Sequence, residues 1–355
     1  MSRPSLRLSA VVSVLLALLA TACGGAPPGA GSSSGGGRIV VYGSTGAIER
    51  IMTETIIRAF ERAHGVEVTY QGVASAEALS RVLGQRGRPE ASVVIANDRD
   101  VTRGHLEGVW TPLDRTAIPT LAEIDPAAHG DDGHSVSLGI GAAVIAYNAQ
   151  ALREQNLAPP ESWLDLFDER FAHRVAIYDY ALGVTPLVMM MINRAAGGTD
   201  ADFTPGLDLL ERHRDRVLAF PVQTAEWDQL FAQGTAWVGP TFSTRIGIAQ
   251  KSGLPLAAVY PREGTPAFRI QAAIPQGAPN PDGAAKFIDF LLQPEQQRLQ
   301  AETQFYAPVH PGTQLPPEVA ALVPADLGRL VTPDNAALLA VHDRVAERFA
   351  AIVSG

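Results

Sequence analysis

Residues 38–52 read RIVVYGSTGAIERIM, and the order of residue types along them sets the fold class. Ile39, Val40 and Val41 are β-branched and predict a strand that ends near Tyr42. Gly43-Ser44-Thr45-Gly46 supplies a turn. Ile48, Ile51, Met52, Thr55 and Ala59 then recur at helical spacing, and Gly65 closes the helix. A strand feeding a helix through a glycine turn is one unit of an α/β protein.

The unit repeats. VEVTYQG, AEALSRVLGQR and ASVVIAND follow as strand, helix and strand, and DVTRGHLEG as a short helix. This order predicts a mostly parallel sheet with helices on both faces. Residues 135–148, SVSLGIGAAVIAYN, form a long strand. A second α/β set follows, and FRIQAAIP returns as a strand near residue 270. Two α/β units linked by one long strand and one returning strand predict two lobes with a cleft between them, where a ligand is expected. The expected division is 38–146 with 268–305 for the first lobe, and 147–267 with 306–355 for the second.

The first residues set the compartment. Arg3 and Arg7 precede an apolar run from Ala10 to Ala20 that is too short to span a bilayer, so residues 1–22 read as a secretory signal. Ala20-Thr21-Ala22-Cys23-Gly24 resembles the lipobox of bacterial lipoproteins, with Leu19 one place earlier than the commonest form has it. That resemblance makes Cys23, the only cysteine, the lipid attachment site. Residues 23–37 are rich in glycine, serine and proline and read as a flexible tether. A membrane-anchored protein of the cell envelope is expected. Acidic side chains number 37 against 28 basic ones, a formal charge of −9, which argues against nucleic acid as a partner.

The opening turn invites a nucleotide reading, but no third glycine follows Gly43 and Gly46 before Gly65, and no lysine is near. What remains is a helix N-terminus with the hydroxyls of Ser44 and Thr45, which can cap the helix or hold a polar ligand group. HGDDGH, residues 129–134, carries metal-ligand residue types in His129, Asp131, Asp132 and His134. Its glycines and polarity favour a solvated loop over a metal-dependent hydrolase. No nucleophile motif occurs, so no catalytic residue, metal or cofactor is expected. In IYDYALG a regular strand would place Tyr178 and Tyr180 on one side and Asp179 on the other, and Asp179 either reaches the cleft or caps the next helix. GPTFSTR, residues 239–245, offers Thr241, Phe242, Ser243 and Arg245 where a strand meets a helix. Met189–Met191 read as core.

Several longer stretches, SWLDLFDERFAHRVAIYD, AEWDQLFAQGTAWVGPTFSTR, YPREGTPAFRIQAAIPQGAPNPDGAAKFIDFLLQPEQQ and YAPVHPG, together with VYGSTG, resemble the spermidine/putrescine-binding branch of the extracellular solute-binding proteins of ABC importers. The resemblance implies a type II periplasmic-binding-protein fold, two α/β lobes joined by a multi-strand hinge, and a monomer that delivers a small solute to a membrane permease. It implies ligand contacts from Tyr42, Ser44 and Thr45, from Asn97 or Asp98, from Asp179, Trp227, Phe242 and Arg245, and from Phe268 and Arg269. Polyamine binders usually carry an acid two residues after the returning strand's aromatic, and here that position is Ile270. Their first loop usually carries an aromatic and an acid, and here it carries hydroxyls. With Arg245 and Arg269 facing the cleft, a zwitterionic or anionic amino compound would suit better than a plain polyamine, with a phosphonate an alternative. The related ferric-iron branch uses an adjacent tyrosine pair, which Tyr178 and Tyr180 do not form. A sensing role is a weaker alternative that the sequence does not separate from transport.

Overall fold

The computed structural model describes residues 37–130 and 133–355. The signal, Cys23 and nearly all of the tether lie outside the described residues, as do Asp131 and Asp132. The elements run in the order β1 (Arg38–Gly43), α1 (Ala47–Ile51), α2 (Ile57–His64), β2 (Glu67–Gly72), α3 (Ser75–Gly84), β3 (Val93–Asn97), α4 (Asp98–Leu106), β4 (Trp110–Thr111) and β5 (Ser135–Asn148). Then come α5 (Ala149–Glu154), β6 (Val175–Ala176), α6 (Val184–Ala195), α7 (Thr204–His213), β7 (Val217–Ala219), α8 (Thr224–Ala232), β8 (Val238–Phe242), α9 (Ser243–Lys251), β9 (Leu256–Val259) and β10 (Thr265–Pro275). The chain finishes with α10 (Pro281–Leu292), α11 (Pro294–Gln304), α12 (Pro317–Ala320), β11 (Leu330–Val331) and α13 (Asn335–Ser354).

The opening stretch folds as its residue types require. Ile39 and Val41 of β1 enter one core with Met52, Ile56 and Phe60, while Val40 and Tyr42 pack into another with Leu79 and Val82. A strand covered on both faces must be apolar on both, which is why Ile39-Val40-Val41 does not alternate. Gly46 takes φ +75, a value that favours glycine, and α1 starts at the next residue. A π-helical turn, Met52–Ile56, joins α1 to α2, and Gly65 ends α2 in the left-handed conformation.

The sheet order is β2-β1-β3-β10-β5-β8-β6-β7. β1 pairs in parallel with β2 and β3, and β6 with β7 and β8. The expectation of a mostly parallel sheet fails at the centre, where β10 is antiparallel to β3 and β5, and β5 is antiparallel to β8 and β9. The reason is that β5 and β10 pass between two hydrophobic cores in opposite directions. β5 gives Val136, Leu138 and Ile140 to one core and Ala142–Ala146 to the other.

Three further elements bear on the site. The strand expected across HRVAIYDY stops at Ala176, so the alternation assumed for Tyr178 and Tyr180 does not apply. Both rings are nevertheless buried, Tyr178 stacked on Trp227 and Tyr180 against His342 and Phe349. Residues 281–304 form two helices that meet at Gln293, because Pro294 starts a new helix and biases its predecessor to extended backbone. The tail becomes α13, capped by Asp334 and in contact with α4 and α7, and it buries Leu338, Val341, Val345 and Phe349 in the core that holds Tyr178, Tyr180 and Trp227. Among the described residues no helix is long and apolar enough to cross a membrane.

Candidate functional site

The site is organised by the first half of β10. Side chains on a strand alternate, and β10 keeps that period here because the irregularity near Ile270 falls on its partner β5. Phe268 and Ile270 take one face. The Phe268 ring lies 4.3 Å from Phe242 and 6.2 Å from Tyr306, at shallow interplanar angles, so three aromatics from β8, β10 and the segment after α11 form one wall. Ile270 borders a cavity of about 20 Å³ shared with Ser44, Tyr70 and Gln304. Arg269 and Gln271 take the other face, where Arg269 Nη2 donates to Thr332 Oγ1 at 2.9 Å and Gln271 Oε1 accepts from Ser135 at 2.8 Å.

Asp98 stands at the end of this wall. Asn97 Oδ1 accepts from Asp100 N at 3.0 Å and caps α4, which fixes Asp98 as the first helical residue, where a negative charge complements the helix dipole. The Asp98 side chain is only 5% exposed. Its Oδ1 accepts from Arg99 N at 3.1 Å, while Oδ2 has no hydrogen-bond partner among the described residues. Burial raises its pKa to about 6, against the pull of the Arg269 charge and the Asn335 side chain. Asp98, Arg99, Gly183, Phe268, Asn335 and His342 border a cavity of about 40 Å³. That is room for roughly one water, so an organic ligand needs the walls to part.

The other residues implicated by sequence fall into two groups. Asn97, Asp98, Phe242 and Phe268 come together here, and Ser44 lies beside the smaller cavity while Thr45 is exposed. The structure places the rest elsewhere. Tyr42 is fully buried with α3, its hydroxyl donating to Glu90 at 2.9 Å under the Arg81 guanidinium. Trp227 is core, stacked 4.0 Å from Phe231 and donating to the Ala176 carbonyl. Arg245 Nη2 donates to both carboxylate oxygens of Asp228, at 2.6 and 2.5 Å, so its charge is already matched. Arg269 points away from the aromatic wall. Asp179 is half-buried, and its Oδ1 accepts from Ala181 N at 2.9 Å, closing a turn before α6. The two arginines expected to draw an anion therefore do not present free charge to the cleft.

Tyr306, Arg99, Asn335 and His342 are the residues that sequence reasoning missed. Tyr306 lies in YAPVHPG, a stretch noticed only for its resemblance. Burial and the Asp98 charge push its phenol pKa up. Gly139 of β5 admits it: a Cβ there would come within 2.7 Å of the Tyr306 Cβ. Of the HGDDGH histidines, His134 stacks edge-on to His105 at 4.9 Å, and His129 borders a different cavity, its pKa lowered by burial and by Arg115. Among the described residues no three His, Cys, Asp or Glu side chains gather closely enough to hold a metal ion.

Residues 55–325 match the bacterial extracellular solute-binding protein family. The chain belongs to that family. This solute-binding protein is 29% identical over 244 residues to the spermidine/putrescine-binding periplasmic protein 1 of Haemophilus influenzae, a match covering 67% of this chain and 66% of that protein. It is 27% identical over 288 residues to the gamma-aminobutyric acid-binding protein of Pseudomonas aeruginosa, 78% of each chain being covered. An extracellular solute-binding protein from Bordetella parapertussis shares its fold, with a TM-score of 0.79 at 20% identity over 89% of this chain and 98% of that one. The fold is that of the type II periplasmic binding proteins.

Proposed function

We propose that this solute-binding protein is the substrate receptor of an ABC importer and that it captures a small amine-bearing organic solute between two lobes. The observation that carries the ligand class is Asp98, a buried carboxylate with an unpartnered Oδ2 at the end of an aromatic wall. An ammonium group would supply the missing donor, and Phe268, Phe242 and Tyr306 offer π faces to a cation. Arg99 borders the same cavity and can take an anionic group at the other end of the ligand. An amino acid with separated charges therefore fits better than a polyamine. The named relatives bind spermidine or putrescine in one case and gamma-aminobutyric acid in the other, which brackets this choice.

β5 and β10 act as the hinge in this reading. They part to admit the solute, and the closed form is the one the permease reads. The protein works as a monomer outside the cytoplasm, held by a lipid on Cys23, and catalyses nothing. A thermal-shift screen over polyamines, ω-amino acids, phosphonates, a neutral sugar and ferric citrate tests the class. Stabilisation by ω-amino acids that disappears in Asp98→Asn supports it. Stabilisation by the sugar or ferric citrate alone, or an unchanged response in Asp98→Asn, overturns it.

A further inference from the structure

A polar cavity beside β10 lies outside the cleft. It lies on the opposite face of β10, has a volume of about 350 Å³, and is enclosed by four separate pieces of chain: α4, the 126–130 turn, β10 and residues 332–336. A space of that size is large enough for a small organic molecule. Its floor is built from polar side chains that burial would otherwise penalise. Thr102, Arg269, Gln271 and Asn335 all border it, and each is at least nine-tenths buried. Arg269 is the decisive one. It is 8% exposed, Nη2 is held by Thr332, and Nε has no hydrogen-bond partner among the described residues. Arg269 borders a roomy polar cavity and keeps one buried N–H without a partner among the described residues, and a carboxylate is the group that guanidinium geometry matches. Asp334, an acid that also borders the cavity, is exposed and already accepts from Ala337 N at the start of α13.

We propose that this back-of-hinge cavity is a second ligand site, separate from the cleft, that binds a small hydroxylated carboxylate. The carboxylate sits on Arg269, and the ligand hydroxyls meet the amides of Gln271 and Asn335. The site is bounded on one side by a hinge strand and on the other by the segment leading into α13. Its occupant therefore tethers the two and biases the hinge toward whichever position keeps the cavity intact.

Calorimetric titration of the whole chain with citrate, tartrate and lactate tests this independently of the cleft. The expected result is submillimolar binding of at least one hydroxycarboxylate, undiminished in Phe242→Ala and undiminished by a saturating amine ligand. Binding should weaken by about tenfold or more in Arg269→Gln. Ala336→Met provides a second variant, because it fills the cavity mouth from an exposed position in the first turn of α13 with a good helix former. It should weaken the carboxylate equally while amine binding persists as proof of folding. No binding at about 10 mM, competition with the amine, or affinity that survives both Arg269→Gln and Ala336→Met overturns the second site. Because the amine response is read separately, failure here leaves the receptor reading standing, and the reverse also holds.

Discussion

Phe268 and Arg269 are neighbours in sequence and lie on opposite faces of β10. One face gathers aromatics from three elements and the end of Asp98. The other gathers hydrogen-bonded polar groups around a buried guanidinium. The contrast shows that a cleft's charge cannot be summed from the residues near it in sequence. Strand alternation sends the Arg269 charge to the back, where it reaches Asp98 only as a field. On the front face, the Asp98 carboxylate keeps one oxygen without a partner among the described residues.

The largest effect should come from removing that carboxylate. Asp98→Asn keeps the shape and the helix start and deletes the charge, so amine affinity should fall by about 2–3 kcal/mol, or roughly 30- to 150-fold, measured by titration calorimetry. A change under about threefold would move the ammonium site away from Asp98. The same substitution should alter stability in the opposite direction. The folded pKa of about 6 lies above the ordinary carboxylate value of 3.8, so the native state holds the proton that the unfolded state has released. Stability is therefore greatest at low pH on this account and declines as pH rises through that window, by on the order of 3 kcal/mol in total. Urea unfolding of Asp98→Asn should lose that slope and give a more stable protein near about pH 8. Equal slopes in the two proteins would mean that Asp98 is solvated. Amine affinity of the unsubstituted protein should weaken as pH falls below about 6, since protonated Asp98 offers an ammonium no charge.

Next in size is the wall. Phe242→Ala leaves Phe268 facing a gap and should cost amine binding about 1–2 kcal/mol, roughly tenfold, while carboxylate binding at the back of the hinge stays unchanged. Arg245→Gln, close by in sequence, should change amine affinity by less than about threefold, since Asp228 already matches its charge. Were Arg245→Gln to prove the more damaging of the two, the ion pair would have to open when ligand binds.

How much of this was legible in sequence follows from the range of the interactions involved. The strand–turn–helix of residues 38–65 is local, and its glycines and β-branched run stand where the structure needs them. The long strands 135–148 and 265–275 were legible for the same reason, but their antiparallel pairing was not. That pairing depends on each strand passing between two cores formed by distant segments. Phe242 and Asp98 stand out in sequence as residues where a strand meets a helix, and Phe268 as part of the returning strand. Tyr306 and Asn335 come from segments whose approach depends on α11 and α13 docking, and no spacing rule brings them to residue 98. Arg245 pairs with Asp228, one helix earlier, and no spacing in the sequence shows that pairing. A charge is visible in a sequence, whereas the group that neutralises it is a fact of packing.

The smallest effect tests the stretch that first set the fold. The GSTG turn resembles a ligand-gripping loop, yet its shape is held by backbone: the Ser44 carbonyl accepts from Tyr70 Oη at 2.8 Å, and Gly46 supplies the positive φ at the helix start. No side chain caps α1, and Thr45 faces solvent. Deleting either hydroxyl removes neither of those backbone constraints. Ser44→Ala and Thr45→Ala should therefore each change amine affinity by less than about twofold and leave the melting temperature within about 1 °C. A tenfold loss in Ser44→Ala would bring the cavity it shares with Ile270 into the ligand site. The solute would then extend along the whole front face of β10 from Asp98 to the opening turn, and the preference for a short amino acid over a long polyamine would reverse.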